Sequence, residues 1–435
     1  MTSEKYSEPW VAPTVSAPIA ASIKLPGSKS LTNRELVLAA LADSATELIE
    51  PLVSRDSELM IAALTSLGAR FERRTDSILV SPIDSTKAAD AVAIDCGLAG
   101  TVMRFAPPLA GLHAGSVEFD GDEAAKRRPM ATTIDSLRAL GVSVEQPATS
   151  AGRLPFTVSS SGSIRGGELE IDASESSQFV SGLLLAAARF EDGLTLTHRG
   201  EHLPSMPHIE MTLDCLKKRG VDARQTAEAT WRVEPGAIAG GRVVIEPDLS
   251  NAGPFLAAAM VAGGSVTIAH WPTSTTQVGD HFESILTQMG ATVVRDERGL
   301  TLSADGRIKG IDIDLSIGGE LAPVVAVLAA LAETSSRISG IAHLRGHETD
   351  RLAALTAEIN RAGGNCRETE DGLAIEPSAN LHGCDWLSYE DHRMATAGAI
   401  MGLRVPGIRV ENIGTTAKTM PEFTQLWAKL LGASA

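Results

Sequence analysis

Apolar residues recur at helical spacing and then stop at a glycine six times along the chain. The endings are Leu64–Gly68, Leu137–Gly141, Leu216–Gly220, Leu286–Gly290, Ile359–Gly363 and Leu430–Gly432, roughly 70–80 residues apart. Each glycine is expected just past a helix end, in the left-handed conformation that a residue with a Cβ adopts only at a cost. A second pattern interleaves with the first: a small-residue apolar helix, a short turn, then a β-branched strand. It occupies 36–49, 105–119, 179–196, 255–268, 324–338 and 395–410. These segments are rich in Ala and apolar on most faces, which predicts helices buried all round. Pro107 and Pro108 fall inside the second of them and predict a kink. The period is longer than a solenoid repeat, so the chain reads as six α/β units, each with two helices and several strands.

Polar residues gather just ahead of the buried segments. They are Gly27-Ser28-Lys29-Ser30, Leu98-Ala99-Gly100-Thr101, Ser176-Ser177-Gln178, Leu249-Ser250-Asn251-Ala252-Gly253, Gly318-Gly319-Glu320 and Glu390-Asp391-His392-Arg393. Five of the six carry side chains suited to a ligand; the fourth reads more simply as capping. If these helix starts converge, their dipoles sum, each worth roughly 0.3–1 kcal/mol on a bound anion.

Bulk properties sharpen this picture. A length of 435 residues suits two or three domains. A net charge of −16 argues against nucleic acid and anionic membranes as partners, so cations for an anionic substrate must be concentrated locally. The longest apolar run, around 322–332, is too short to cross a bilayer. The first twenty residues lack the basic start and apolar core of a signal peptide. Cys96, Cys215, Cys366 and Cys384 show no metal-ligand spacing and read as free thiols of a reducing, cytoplasmic compartment. Neither a metal nor a cofactor is called for, and a monomer is expected.

The stretch Leu25–Arg34 is the first chemical candidate. Ser28 and Ser30 can cap the helix that Leu31–Leu41 supports, and Ser30 and Arg34 share a face of it. Lysine, arginine, hydroxyls and free N–H groups at a helix start make an anion site, though an ordinary capped surface helix fits the same ten residues. Gly27-Ser28-Lys29-Ser30 is not a P-loop, because position 22 is a serine where that motif needs glycine. Gly100 leaves room for a ligand to approach the backbone. Of Lys126-Arg127-Arg128, the last stands beside Pro129, ahead of a predicted helix, and is the one expected to point inward. Ser205 sits in a constrained turn. Gly346–Arg351 is the densest cluster; on a helix, His347 and Arg351 would share a face and Glu348 would reach Arg351. Surface ion pairing explains such a cluster equally well.

Taken together, Leu25–Arg34, Ala99–Arg104, Arg128-Pro129-Met130, Ser176–Phe179, His347–Arg351, Asp391–Arg393 and Lys418–Pro421 resemble, in order, the motifs of the 3-phosphoshikimate 1-carboxyvinyltransferase family, the 5-enolpyruvylshikimate-3-phosphate synthases. The resemblance covers nearly the whole chain. It implies an α/β fold of two similar domains, each of three βαβαββ units with buried helices in an inside-out α/β barrel. One domain would be 29–246 and the other 1–28 plus 247–435, with the substrate cleft between them. Transfer of the enolpyruvyl group of phosphoenolpyruvate to the 5-hydroxyl of shikimate 3-phosphate is the implied reaction, a step toward chorismate and the aromatic amino acids. Shikimate 3-phosphate would meet Lys29, Ser30, Arg34, Ser176, Ser177, Gln178, Ser205, Glu320 and His347. Phosphoenolpyruvate would meet Lys29, Gly100, Arg128, Gln178, Arg351, Arg393 and Lys418. Glu320 would accept the hydroxyl proton, and Glu348, near Lys29, would protonate C3. Members often carry Lys where this chain has His347 and Asp where it has Glu320. Two other readings compete. The related transferase acting on UDP-N-acetylglucosamine uses a loop cysteine, and no cysteine here stands at the basic loop. A non-catalytic repeat scaffold would not need cations at its helix starts.

Overall fold

A computed structural model describes residues 8–84, 91–346 and 348–432. The described residues include twelve α-helices: α1 (Lys29–Leu41), α2 (Arg55–Ser66), α3 (Gly100–Ala110), α4 (Ala131–Ala139), α5 (Gln178–Ala187), α6 (Met206–Lys218), α7 (Gly253–Ala262), α8 (Phe282–Gln288), α9 (Ala322–Ala330), α10 (Arg351–Arg361), α11 (His392–Arg404) and α12 (Phe423–Leu430). The odd-numbered six are the apolar segments of the repeat, and nearly every residue in them is buried. The even-numbered six each keep one face in solvent and end at the repeating glycine. All six glycines have positive φ: Gly68 109°, Gly141 86°, Gly220 80°, Gly290 113°, Gly363 81° and Gly432 76°.

The strands form five four-stranded sheets and one of three strands among the described residues. Each four-stranded sheet begins with a parallel pair and continues antiparallel, as in Ala91–Asp95 beside Ala114–Asp120 beside Phe156–Ser161 beside Ser143–Glu145. Two sheets borrow their first strand from far along the chain. Gly241–Val244 completes the sheet of Thr46–Ile49, and Ile19–Ile23 completes that of Gly264–Ala269. The sixth sheet joins Asp385–Trp386, Arg409–Val410 and the N-terminal Trp10–Val11. Among the described residues the six sheets are separate and form no continuous hydrogen-bonded barrel; each buried helix packs on strands of its own repeat.

These pairings divide the chain into two compact units, 27–245 and 1–26 with 246–435, each with its own apolar core. No helix among the described residues is long and apolar enough to cross a membrane. In the first unit α1, α3 and α5 pack on one another, and in the second α7, α9 and α11 do. Arginines tie their C-terminal ends. Arg189 donates to Leu41 O at the end of α1, while Arg404 donates to Val261 O at 2.8 Å in the last turn of α7 and to Leu331 O at 3.3 Å just past α9. A guanidinium on these carbonyls complements the negative helix ends. The three helices of each unit therefore run the same way and begin at a shared end.

Two glycines allow close approaches that the fold needs. A Cβ on Gly27 would lie 2.2 Å from Glu50 O, so the turn ahead of α1 can press on the neighbouring strand end only without a side chain. The prolines expected to kink α3, Pro107 and Pro108, do not end it; α3 runs through both to Ala110. Pro108 supplies no N–H to the carbonyl four residues earlier, that of Arg104. Gly182 of α5 faces this carbonyl, and a Cβ there would be 2.2 Å from its oxygen. Gly182→Ala must part α3 from α5, at a cost of about 1–3 kcal/mol. Thermal unfolding should show a lowered midpoint; an unchanged midpoint would mean the helices are not held at this distance.

Candidate active site

In the unit 27–245 the helix starts lie side by side. Ser28 caps α1, its Oγ accepting from Leu31 N at 3.4 Å, which leaves Lys29 and Ser30 in the first turn. Lys29 is 3.6 Å from Asp56, a nearly buried carboxylate on α2. Asn33 Nδ2 donates to Thr101 Oγ1 at 2.9 Å, joining the starts of α1 and α3. Gly100 opens α3, where a Cβ would lie 3.0 Å from both Arg128 Nη1 and Gln178 Oε1. Arg128 is thus the inward-pointing member of its cluster; Lys126 instead pairs with Asp120 and Glu123. Gln178 opens α5, with Ser176 Oγ accepting from its backbone N–H at 3.2 Å. Its side-chain Oε1 is buried with no hydrogen-bond partner among the described residues. Ser177 makes no cap bond, so the three polar side chains are not all spent on capping. Ser205 stands immediately before α6 with φ 56°, a left-handed serine held in a strained turn.

Two arginines lie behind these residues. Arg34 is 2% exposed and donates to Thr212 Oγ1 at 2.8 Å, Ser30 O at 3.0 Å, His208 O at 2.8 Å and Ser181 Oγ at 3.3 Å. It clamps α1, α5 and α6 together and lies over the Phe105 ring. Arg104 is also buried. It donates to Pro129 O at 3.0 Å and lies over the Phe179 ring. Burial and then the neighbouring Arg128 push its pKa well below that of a free guanidinium.

The other unit gathers a second set. Arg393 donates to Glu320 O at 3.0 Å and Ser250 Oγ at 3.1 Å, tying the start of α11 to the residues preceding α9 and α7. Arg351 opens α10 and grips Asp391, the N-cap of α11, with two bonds of 2.7 and 3.2 Å. Burial opposes the charge of Arg351, but the carboxylates of Asp391 and Glu348 outweigh it and hold its pKa above the ordinary value. For Arg393 burial, followed by Arg351, wins and lowers it. Asp248 caps the turn at Leu249–Ala252, as the capping reading requires, yet Ser250 also serves Arg393.

Helix α10 begins only at Arg351, so the helical spacing expected between Glu348 and Arg351 does not apply. Glu348 lies before the helix and turns to other partners: Lys418 Nζ at 2.7 Å and His392 Nδ1 at 3.2 Å. Burial would raise its pKa, but His392 and then Lys418 pull it well below the usual carboxylate range. His392 is pushed down by burial, although Glu348 pulls it up. Glu348, Asp391 and His392 lie close enough to hold a metal ion, but Lys418 and Arg351 already occupy the two carboxylates. His347 lies outside the described residues.

The structure thus places Lys29, Ser30, Arg34, Gly100, Arg128, Ser176, Ser177, Gln178 and Ser205 in one unit, and Glu320, Glu348, Arg351, Arg393 and Lys418 in the other. Asp56 and His392 had no assigned role from the sequence. The motif Asp391-His392-Arg393 was a signal for His392; Asp56 had none.

Known proteins match this chain over nearly its whole length. The family model for EPSP synthase (3-phosphoshikimate 1-carboxyvinyltransferase) matches residues 13–427. A 3-phosphoshikimate 1-carboxyvinyltransferase from Kocuria rhizophila is 56% identical over 440 residues, spanning 99% of this chain and 98% of that one. Two solved structures of EPSP synthase from Acinetobacter baumannii share the fold, with a TM-score of 0.80 at 24% identity over 97% of each chain. A match over nearly the full length, both in sequence and in fold, means that this chain belongs to the EPSP synthase (3-phosphoshikimate 1-carboxyvinyltransferase) family.

Proposed function

We propose that this chain transfers the enolpyruvyl group of phosphoenolpyruvate to the 5-hydroxyl of shikimate 3-phosphate and releases inorganic phosphate, on the route to chorismate. The observation that supports it most is the group Gly100, Arg128 and Gln178, where a backbone without a Cβ, a guanidinium and a side-chain amide adjoin at the starts of two buried helices. Such a group suits a small carboxylate and phosphate. The enzyme is expected to act as a cytoplasmic monomer.

Lys29, Ser30, Arg34, Ser176, Ser177, Gln178 and Ser205 are assigned to shikimate 3-phosphate, with Glu320 and His347 on its ring. Arg34 already makes four hydrogen bonds within its unit, so it acts chiefly by fixing Ser30 and the start of α5. Phosphoenolpyruvate is assigned to Lys29, Gly100, Arg128, Gln178, Arg351, Arg393 and Lys418. Arginine suits this anion because its planar fork matches carboxylate and phosphate oxygens in pairs.

The reaction needs two proton transfers. The hydroxyl oxygen bonds to C2 while C3 gains a proton, giving a tetrahedral intermediate. Phosphate then leaves C2 and C3 returns a proton, restoring the double bond. Glu320 is assigned to take the hydroxyl proton. Glu348 is assigned to deliver the proton to C3. Resting Glu348 is ionised against His392 and Lys418, so the proton it passes to C3 is first taken up from solvent. Lys418, Arg351 and Arg393 offset the charge that builds up on carboxylate and phosphate.

Phosphate release is the deciding assay. Release with shikimate 3-phosphate and phosphoenolpyruvate, and none with UDP-N-acetylglucosamine as acceptor, is expected; the reverse pattern, or none with either, would overturn the proposal. Glu320→Gln should lower kcat by about 10²–10⁴ while calorimetry shows both substrates still bound. Unaltered turnover would remove Glu320 from proton transfer. Glu348→Gln should slow exchange of solvent hydrogen into C3 of phosphoenolpyruvate, and exchange at the wild-type rate would exclude it as the carrier. Gly100→Ala puts a methyl 3.0 Å from Arg128 and Gln178. Its KM for phosphoenolpyruvate should rise about tenfold, that for shikimate 3-phosphate much less; an unchanged KM would remove Gly100 from that site.

A further inference from the structure

We propose that Glu358 and Tyr389 form a latch that holds a strained turn ahead of α11 and thereby positions Arg351 and Arg393 for phosphoenolpyruvate. This rests on the assignment of those arginines above. Neither latch residue is given a substrate contact, so both are positioning residues.

The turn has an unusual backbone. Tyr389 has φ 54° and Glu390 φ 56°, the one place among the described residues where two successive non-glycine residues are left-handed. A side chain with a Cβ disfavours this conformation, and two in a row persist only where the surroundings impose them. The turn matters because it leads directly into the start of α11. Asp391 caps α11, accepting from Arg393 N–H at 2.8 Å, and takes both bonds from Arg351. Both guanidinium groups therefore inherit their places from the path of the chain through 389–391.

Glu358 supplies the second grip. Its side chain is fully buried, and it accepts from Leu387 N–H at 3.0 Å and from Tyr389 O–H at 2.7 Å. Arg361 lies 3.1 Å from the same carboxylate and balances its charge. Glu358 stands seven residues after Arg351 in α10, two helical turns on, so both project from one face. One helix thus holds the turn on both sides of its strained pair, through Glu358 before and at it and through Arg351 after it. The Tyr389 hydroxyl stays protonated, its pKa pushed up to about 12 by burial and by Glu358, and so remains a donor.

Tyr389→Phe removes one bond and leaves a half-buried ring in place. In it kcat/KM for phosphoenolpyruvate should fall about tenfold, with the affinity for shikimate 3-phosphate and the unfolding midpoint little changed. Glu358→Gln should fall further. Adding Glu390→Gly to Glu358→Gln should then recover part of the loss, because glycine adopts positive φ without strain. A merely structural role would lower the midpoint and show no such recovery. If Glu358→Gln does not fold, Tyr389→Phe decides alone. Amide exchange at 390–393 should quicken in Tyr389→Phe whether or not the chain is active, which separates failure of the latch from failure of the functional reading. Unchanged exchange, or kcat/KM for phosphoenolpyruvate within twofold of wild type, would overturn the latch.

Discussion

A helix buried along its whole length can meet polar surroundings only at its two ends. Six helices of this chain are in that position, three in each unit, and the rest of the structure depends on how their ends are satisfied. At the C-terminal ends the chain supplies its own partners. Arg189 and Arg404 cover carbonyls of neighbouring helices, including some beyond their own. At the N-terminal ends the chain supplies cations, hydroxyls and free N–H groups, which leaves room for an anion from outside.

Those cations are crowded. Burial and the neighbouring Arg128 oppose the charge of Arg104, as burial and Arg351 oppose that of Arg393. Asp56, Asp391 and Glu348 offset part of this, yet each offset is a carboxylate on one side of a cation. A bound phosphate or carboxylate would relieve the remainder. This accounts for a local concentration of positive charge in a chain whose net charge is −16.

Much of this was legible in the sequence, and for a physical reason. Glycine past a helix end and alanine-rich apolar runs are local signals, and the six glycines and six buried helices lie where those signals put them. The polar residues ahead of the buried helices were equally plain, because a buried helix has nowhere else to put them. What could not be read was set by distant partners. Helix α3 continues through Pro107 and Pro108, and its neighbour α5 comes close to it at Gly182, 74 residues from Pro108. Glu348 looked like a helical neighbour of Arg351, but α10 starts later and its carboxylate goes to Lys418, 70 residues on. Arg34 read as part of the anion site at the start of α1, and its reach to Ser181 of α5 and His208 of α6 had no local signal.

The account stands on helix starts that favour anions over neutral groups of the same shape. Thermal unfolding of the full chain with saturating shikimate 3-phosphate, compared with shikimate lacking the phosphate, tests this directly. The midpoint should rise clearly with the phosphorylated compound and much less with the analogue that lacks it, and the difference should shrink as salt is added. Equal rises with the two compounds, insensitive to salt, would contradict it.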